Sequence, residues 1–140
     1  MQRKASAVWE GGLKDGTGRM STASGVFANT PYSFGTRFEN SPGTNPEELI
    51  AAAHASCFSM ALSMILGDAG MKAESISTKA TVTLEQVGGG FSVTSSALET
   101  SVKIPNADKA AFEKAAEAAK GGCPISKLLN AKITLDAKLV

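Results

Sequence analysis

The run Leu49–Leu66 constrains this chain more than any other feature: it carries no formal charge and is rich in Ala, Met and Leu. It opens at Asn45-Pro46-Glu47-Glu48. Asn45 suits a helix N-cap, Pro46 the first helical position, and Glu48 the third, from which a carboxylate reaches back to the cap. Gly67 and Gly70 close the run, so the spacing predicts a helix of about twenty residues, roughly 30 Å long. Leu49, Ile50, Ala53, Phe58, Met60, Ala61, Leu62, Met64 and Ile65 do not share one stripe, so this helix is apolar nearly all round. Such a helix either spans a membrane or is covered by protein on every side. His54, Ser56, Ser59 and Ser63 interrupt it, and its flanks lack aromatic belts and basic clusters. A central buried helix is the better reading. A chain of 140 residues has few elements to spare for covering it, which points to help from a second subunit.

Around that helix, alternation of period two predicts strands. Ile76, Thr78, Ala80, Val82 and Leu84 alternate with Ser77, Lys79, Thr81, Thr83 and Glu85, and Ile133, Leu135, Ala137 and Leu139 alternate with polar neighbours. Gly88-Gly89-Gly90 turns the chain into a strand from about Phe91 to Ile104. Its inward set shifts from Phe91 and Val93 to Leu98, Val102 and Ile104, which suggests a bulge. Residues 5–38 read as two or three further strands, broken near Gly11-Gly12, Asp15-Gly16 and Asn29-Thr30-Pro31. An amphipathic helix is expected over Asp108–Lys120, and a short one over Pro124–Leu129, with Gly121-Gly122 separating them. The whole, residues 1–140, reads as a single α+β domain.

Lys+Arg 14 against Asp+Glu 13 leaves a net charge of +1, without a block of like charge, so nucleic acid is not an expected partner. The N-terminal stretch lacks an apolar segment of the signal-peptide kind. Two cysteines are too few for a secreted disulfide scaffold, and a cytoplasmic location is expected.

Those cysteines are the candidate chemistry. Two free thiols are commonly just small buried hydrophobes. Cys123, however, stands directly before Pro124 at the expected N-cap of the short helix, where amide groups stabilise a thiolate. Cys57 lies mid-helix, too deep to feel a helix N-terminus. Local position alone therefore nominates Cys123 as nucleophile, and Cys57 would need a cation brought by another element.

The segments Thr44-Asn45-Pro46-Glu47-Glu48-Leu49, His54-Ala55-Ser56-Cys57-Phe58-Ser59-Met60-Ala61-Leu62 and Gly122-Cys123-Pro124 resemble the OsmC/Ohr family of thiol-dependent hydroperoxidases, especially its OsmC branch. Trp9-Glu10-Gly11, the stretch from Tyr32 to Arg37, and Ile133-Thr134-Leu135 extend the likeness over essentially the whole chain. The resemblance implies a peroxidatic Cys57 and a resolving Cys123, with Arg37 as the active-site arginine and Glu47 as its carboxylate. It also implies antiparallel sheets wrapped around long central helices in an intertwined homodimer. Organic hydroperoxides would be reduced to alcohols, hydrogen peroxide less efficiently. An external dithiol, a lipoyl-bearing protein or a small molecule, would restore the thiols. No metal or organic cofactor is required.

Glu47 and Cys57 are ten residues apart, about 15 Å along a straight helix. Either Glu47 belongs to a kinked first turn, or it reaches the partner subunit's Cys57 across an antiparallel helix pair; the second is the reading we favour. Tyr32, Phe34, Phe38, Phe58 and Met60 are candidates to line a pocket for an alkyl or aryl tail. His54 precedes Cys57 by three residues and suggests a thiol hydrolase or a zinc site. An orienting group and an oxyanion hole are missing for the first, and a fourth ligand for the second, so a structural or supporting role is expected. A dimeric binding module with merely buried thiols is the non-enzymatic alternative.

Overall fold

The computed structural model describes residues 1–140, which form two compact units, Met1–Leu49 and Ile50–Val140. In the first unit β1 (Ala5–Glu10), β2 (Thr17–Thr22) and β3 (Thr30–Tyr32) make an antiparallel sheet in that order. The register aligns Trp9, Gly18 and Tyr32 in one row. A Cβ on Gly18 would lie 2.4 Å from the Tyr32 ring and 2.8 Å from Trp9, so only glycine lets these rings close over β2 at a 5.5 Å centroid separation.

Beyond Tyr32 the expected strand gives way to a helical turn, α1 (Phe34–Phe38). Ser33 and Thr36 form a reciprocal capping box: Thr36 N–H donates to Ser33 Oγ, and Ser33 N–H to Thr36 Oγ1. Two orphan amides are thus satisfied locally, which is why this segment turns.

Helix α2 (Pro46–Asp68) begins in the first unit and continues into the second. Asn45 caps it as expected, its side chain accepting from Glu48 N–H at 2.9 Å. The Glu48 carboxylate does not return to the cap backbone; it accepts from the Thr44 hydroxyl instead. Its most apolar stretch has a mean hydropathy of 1.8, long and apolar enough to cross a membrane by composition, yet only His54, Phe58, Leu62 and Leu66 are buried. The chain itself covers one stripe and leaves Met60 and Met64 exposed.

In the second unit β4 (Ser75–Val87) and β5 (Gly90–Lys103) form a long antiparallel hairpin. Thr83 pairs with Ser95 and Leu84 with Val93, leaving Thr94 as the extra residue of the expected bulge. Past the bulge Ser96, Leu98, Thr100 and Val102 point inward, whereas Phe91, at the hairpin tip, is exposed.

Helix α3 (Lys109–Gly122) is capped by Asp108, which accepts from the Ala110 and Ala111 amides. It runs through Gly121-Gly122 and does not break there; Cys123 ends it and at once caps α4 (Pro124–Leu128). The chain then returns as β6 (Lys132–Leu139), which joins β5 in parallel, unlike the all-antiparallel sheets expected. A helical crossover between the two strands makes that pairing possible. Phe58, Leu62 and Leu66 pack with Leu98, Val102, Phe112, Ala115, Ala116 and Ala119 into the core, and Cys123 belongs to it.

Phe112 is 1% exposed and Phe91 60%. Phe112→Ala is expected to cost about 3–5 kcal/mol and Phe91→Ala under about 0.5 kcal/mol, read from urea midpoints at unchanged slope.

Candidate active site

The second unit brings the two cysteines together. Cys57 is half-buried on α2, Cys123 is fully buried at the α3–α4 junction, and their sulfurs lie 2.9 Å apart as free thiols sharing one hydrogen bond. Burial pushes the Cys57 thiol up, and its bond and charge coupling to Cys123 push it further; the Ile125 amide only partly offsets this. Burial works against the Cys123 thiolate too. There it is outweighed by hydrogen bonding with Cys57 and by the nearby Ser126 and Ile125 backbone and Ser126 side chain, so the Cys123 value falls. Within this unit the surroundings thus favour a thiolate on Cys123 over one on Cys57. These directions run the same way as the local sequence reading, in which position alone favours Cys123 over Cys57.

His54 is held by two serines. Its ring is buried, with Nδ1 2.7 Å from Ser96 Oγ and Nε2 2.8 Å from Ser126 Oγ. Both nitrogens are therefore engaged by hydroxyls, and His54 joins no cluster of three side chains that could hold a metal ion. Burial lowers its pKa, so the imidazole is neutral near pH 7.

The first unit brings Arg37 and Glu47 together. Arg37 is the basic residue of α1, and Glu47 the second residue of α2. The guanidinium donates through Nη2 to Oε1 at 2.7 Å and through Nε to Oε2 at 3.2 Å. That two-point fork fixes a side chain that would otherwise be mobile. The Phe38 ring lies 5.2 Å from the guanidinium carbon. Arg37 shares a cavity of about 270 Å³ with Trp9, Leu13, Tyr32, Phe34 and Phe38. Tyr32, Phe34 and Phe38 were expected at such a pocket. Phe58 instead belongs to the core, and Met60 is exposed on α2. Trp9 and Leu13 were not anticipated as lining residues. Nor were Ser96 and Ser126 as partners of His54; only Ser126, in the first turn after a cysteine N-cap, left a signal.

A mixed α+β fold carries two facing thiols in one unit and a carboxylate-held arginine in the other, the make-up of a thiol-based peroxidase. Known proteins agree: the family described as OsmC-like protein matches residues 38–138. The chain is 52% identical over 139 residues to Peroxiredoxin OsmC of Escherichia coli, covering 99% of this chain and 97% of that one. It is 31% identical over 98 residues to an organic hydroperoxide resistance protein of Xanthomonas axonopodis pv. citri, covering 69% and 67%. In structure it is similar to an organic hydroperoxide resistance protein of Elizabethkingia anophelis, with a TM-score of 0.73 at 26% identity, covering 100% and 99%. This chain belongs to the OsmC-like family.

Two titrations follow from the site. Replacing Cys123 by Ala removes two influences that raise Cys57, so ultraviolet thiolate absorbance should show Cys57 ionising at lower pH than in the parent; Cys57→Ala should move Cys123 upward. Folded His54 sits below its ordinary 6.5, so in acid the unfolded chain binds a proton that the folded one does not. Stability should therefore fall as pH drops below about 6.5 and level off once folded His54 is protonated, with the slope reduced in His54→Gln, as urea midpoints would report.

Proposed function

We propose that this chain is a thiol-dependent peroxidase that reduces organic hydroperoxides to alcohols, and hydrogen peroxide less efficiently, in oxidative and osmotic stress defence in the cytoplasm. The observation that carries this reading is the 2.9 Å approach of two free sulfurs. Family membership and the names of the Escherichia coli and Xanthomonas relatives support it.

The Cys57 thiolate attacks the terminal peroxide oxygen, the O–O bond breaks, and the alkoxide leaves as alcohol after taking a proton. Cys57 becomes a sulfenic acid, Cys123 displaces its hydroxyl as water, and a Cys57–Cys123 disulfide forms. An external dithiol, such as a lipoyl-bearing protein, reduces the disulfide by exchange. Arg37 supplies the missing cation, offering donors to the sulfur and to a peroxide oxygen while Glu47 holds it in place. The aromatic cavity beside Arg37 accepts the organic tail.

The working unit is a homodimer of single OsmC-like domains spanning residues 1–140, in which the Arg37–Glu47 pair serves the partner subunit's Cys57. The apolar face of α2 carrying Met60 and Met64, 76% and 63% exposed, supports such an association.

One equivalent of cumene hydroperoxide should remove two hydrogens from the intact mass, mapped to a Cys57–Cys123 disulfide, with turnover restored by dithiol; unchanged thiols would refute the mechanism. Arg37→Lys should lower kcat/KM about a hundredfold. Mixed dimers of Cys57→Ser and Arg37→Ala chains, each inactive alone, should regain activity, whereas sites built within one chain would stay inactive.

A further inference from the structure

The mechanism above needs Cys123 to stay beside Cys57 at a moment when the bond between their thiols is lost. In the reduced pair one hydrogen bond joins the sulfurs at 2.9 Å. Once Cys57 carries the sulfenic oxygen, that bond is broken. What keeps the two side chains together then depends on how their elements are tied.

Cys57 is tied firmly, because α2 is bonded to the sheet on both sides of it. Three residues before it, His54 Nδ1 meets Ser96 Oγ of β5 at 2.7 Å. Two residues after it, the Ser59 hydroxyl meets Thr78 Oγ1 of β4 at 2.8 Å, and Thr78 meets Thr100 of β5 at 2.9 Å. Cys123 depends on α4, which is the weak element. This helix has five residues, no fully buried side chain and no side-chain cap. A helix so short does not sustain itself. Ile125 packs against the core, and one side-chain hydrogen bond fastens α4 to α2, from Ser126 Oγ to His54 Nε2 at 2.8 Å. The spacing matches on the two sides: His54 precedes Cys57 by three positions, and Cys123 precedes Ser126 by three. The pairs 54–126 and 57–123 thus bridge the same two segments at neighbouring points. His54 is the hub, fixed to β5 through one ring nitrogen and holding α4 with the other.

We infer that the His54–Ser126 hydrogen bond is a clasp that keeps α4, and Cys123 with it, docked on α2 while Cys57 is oxidised, which makes His54 and Ser126 positioning residues for disulfide closure. The clasp acts on distance and serves in either imidazole tautomer, since a hydroxyl both donates and accepts. Its role in turnover rests on the two-cysteine reading above. In the step it serves, the Cys123 thiol attacks the Cys57 sulfur, the S–S bond forms as the S–O bond breaks, and the hydroxide leaves with the Cys123 proton as water. By linkage, whatever docks α4 favours the disulfide, and the disulfide in turn docks α4.

The test uses the full chain with Ser126→Ala, His54→Phe and the hydroxyl-retaining Ser126→Thr. In glutathione redox buffers, with no peroxide present, the two thiols exchange two hydrogens with oxidised glutathione. There Ser126→Ala and His54→Phe should lower the disulfide equilibrium constant about tenfold, the effect of one hydrogen bond, and Ser126→Thr should keep it near the parent value. The Lys127 and Leu129 amides, which bond back to the Cys123 and Ile125 carbonyls, should exchange hydrogen faster in reduced Ser126→Ala and return to the parent rate once the disulfide closes. An equilibrium constant unmoved by Ser126→Ala, or lowered as much by Ser126→Thr, would overturn the clasp. So would amide exchange that quickens equally in both redox forms, which is the mark of a merely structural role. Ser126 is only half-buried, so Ser126→Ala decides the matter even if His54→Phe does not fold. After cumene hydroperoxide, acid quench and mass spectrometry should show closure slowed in Ser126→Ala while sulfenic-acid formation keeps its rate; closure at the parent rate counts against the clasp. A parent chain that forms no sulfenic acid refutes the peroxidase reading instead, and the glutathione equilibrium then judges the clasp alone.

Discussion

Two sulfurs held 2.9 Å apart in a largely apolar setting cannot both be ionised, and the rest of the site follows from that constraint. Whichever cysteine carries the charge must be chosen by its surroundings. On the α4 side these are amides and a serine hydroxyl, and they favour Cys123. On the α2 side a mid-helix position supplies little beyond the shared Ile125 amide, so the Cys57 thiol is pushed up. The Arg37–Glu47 fork is a cation whose geometry is already fixed by two hydrogen bonds.

Much of this was legible in the sequence because the signals are local. Asn45-Pro46 announced the start of α2, alternation announced β4 and β6, and the phase shift along β5 announced the bulge at Thr94. Cys123 before Pro124 announced an N-cap, and the structure places it there. What escaped depended on partners distant in sequence. The parallel pairing of β6 with β5 is decided by a crossover, to which period-two alternation is blind. The short helix at Phe34–Phe38 owes its existence to one Ser33–Thr36 exchange within a strand-like stretch. Gly121-Gly122 stayed helical because α3 continues to Cys123, whose amide bonds back to Ala119.

The site residues divide along the same line. Cys57, Cys123, Arg37 and Glu47 came from motif resemblance, and the structure joins Arg37 to Glu47 by two hydrogen bonds and Cys57 to Cys123 by one. Ser96 had no local mark among the many hydroxyls of β5, and its importance emerges only from its 2.7 Å approach to a ring 42 positions earlier.

The place of Cys123 in the crossover has a further consequence. A bond from Cys57 to Cys123 would join positions 66 residues apart and enclose the whole β4–β5 hairpin and α3. Closing a loop of that length restricts the unfolded chain by about 4 kcal/mol in the chain-entropy view. Each cycle of oxidation and reduction would then alternate between a linear polymer and a covalently looped one, so the oxidised form would resist unfolding and proteolysis better than the reduced form.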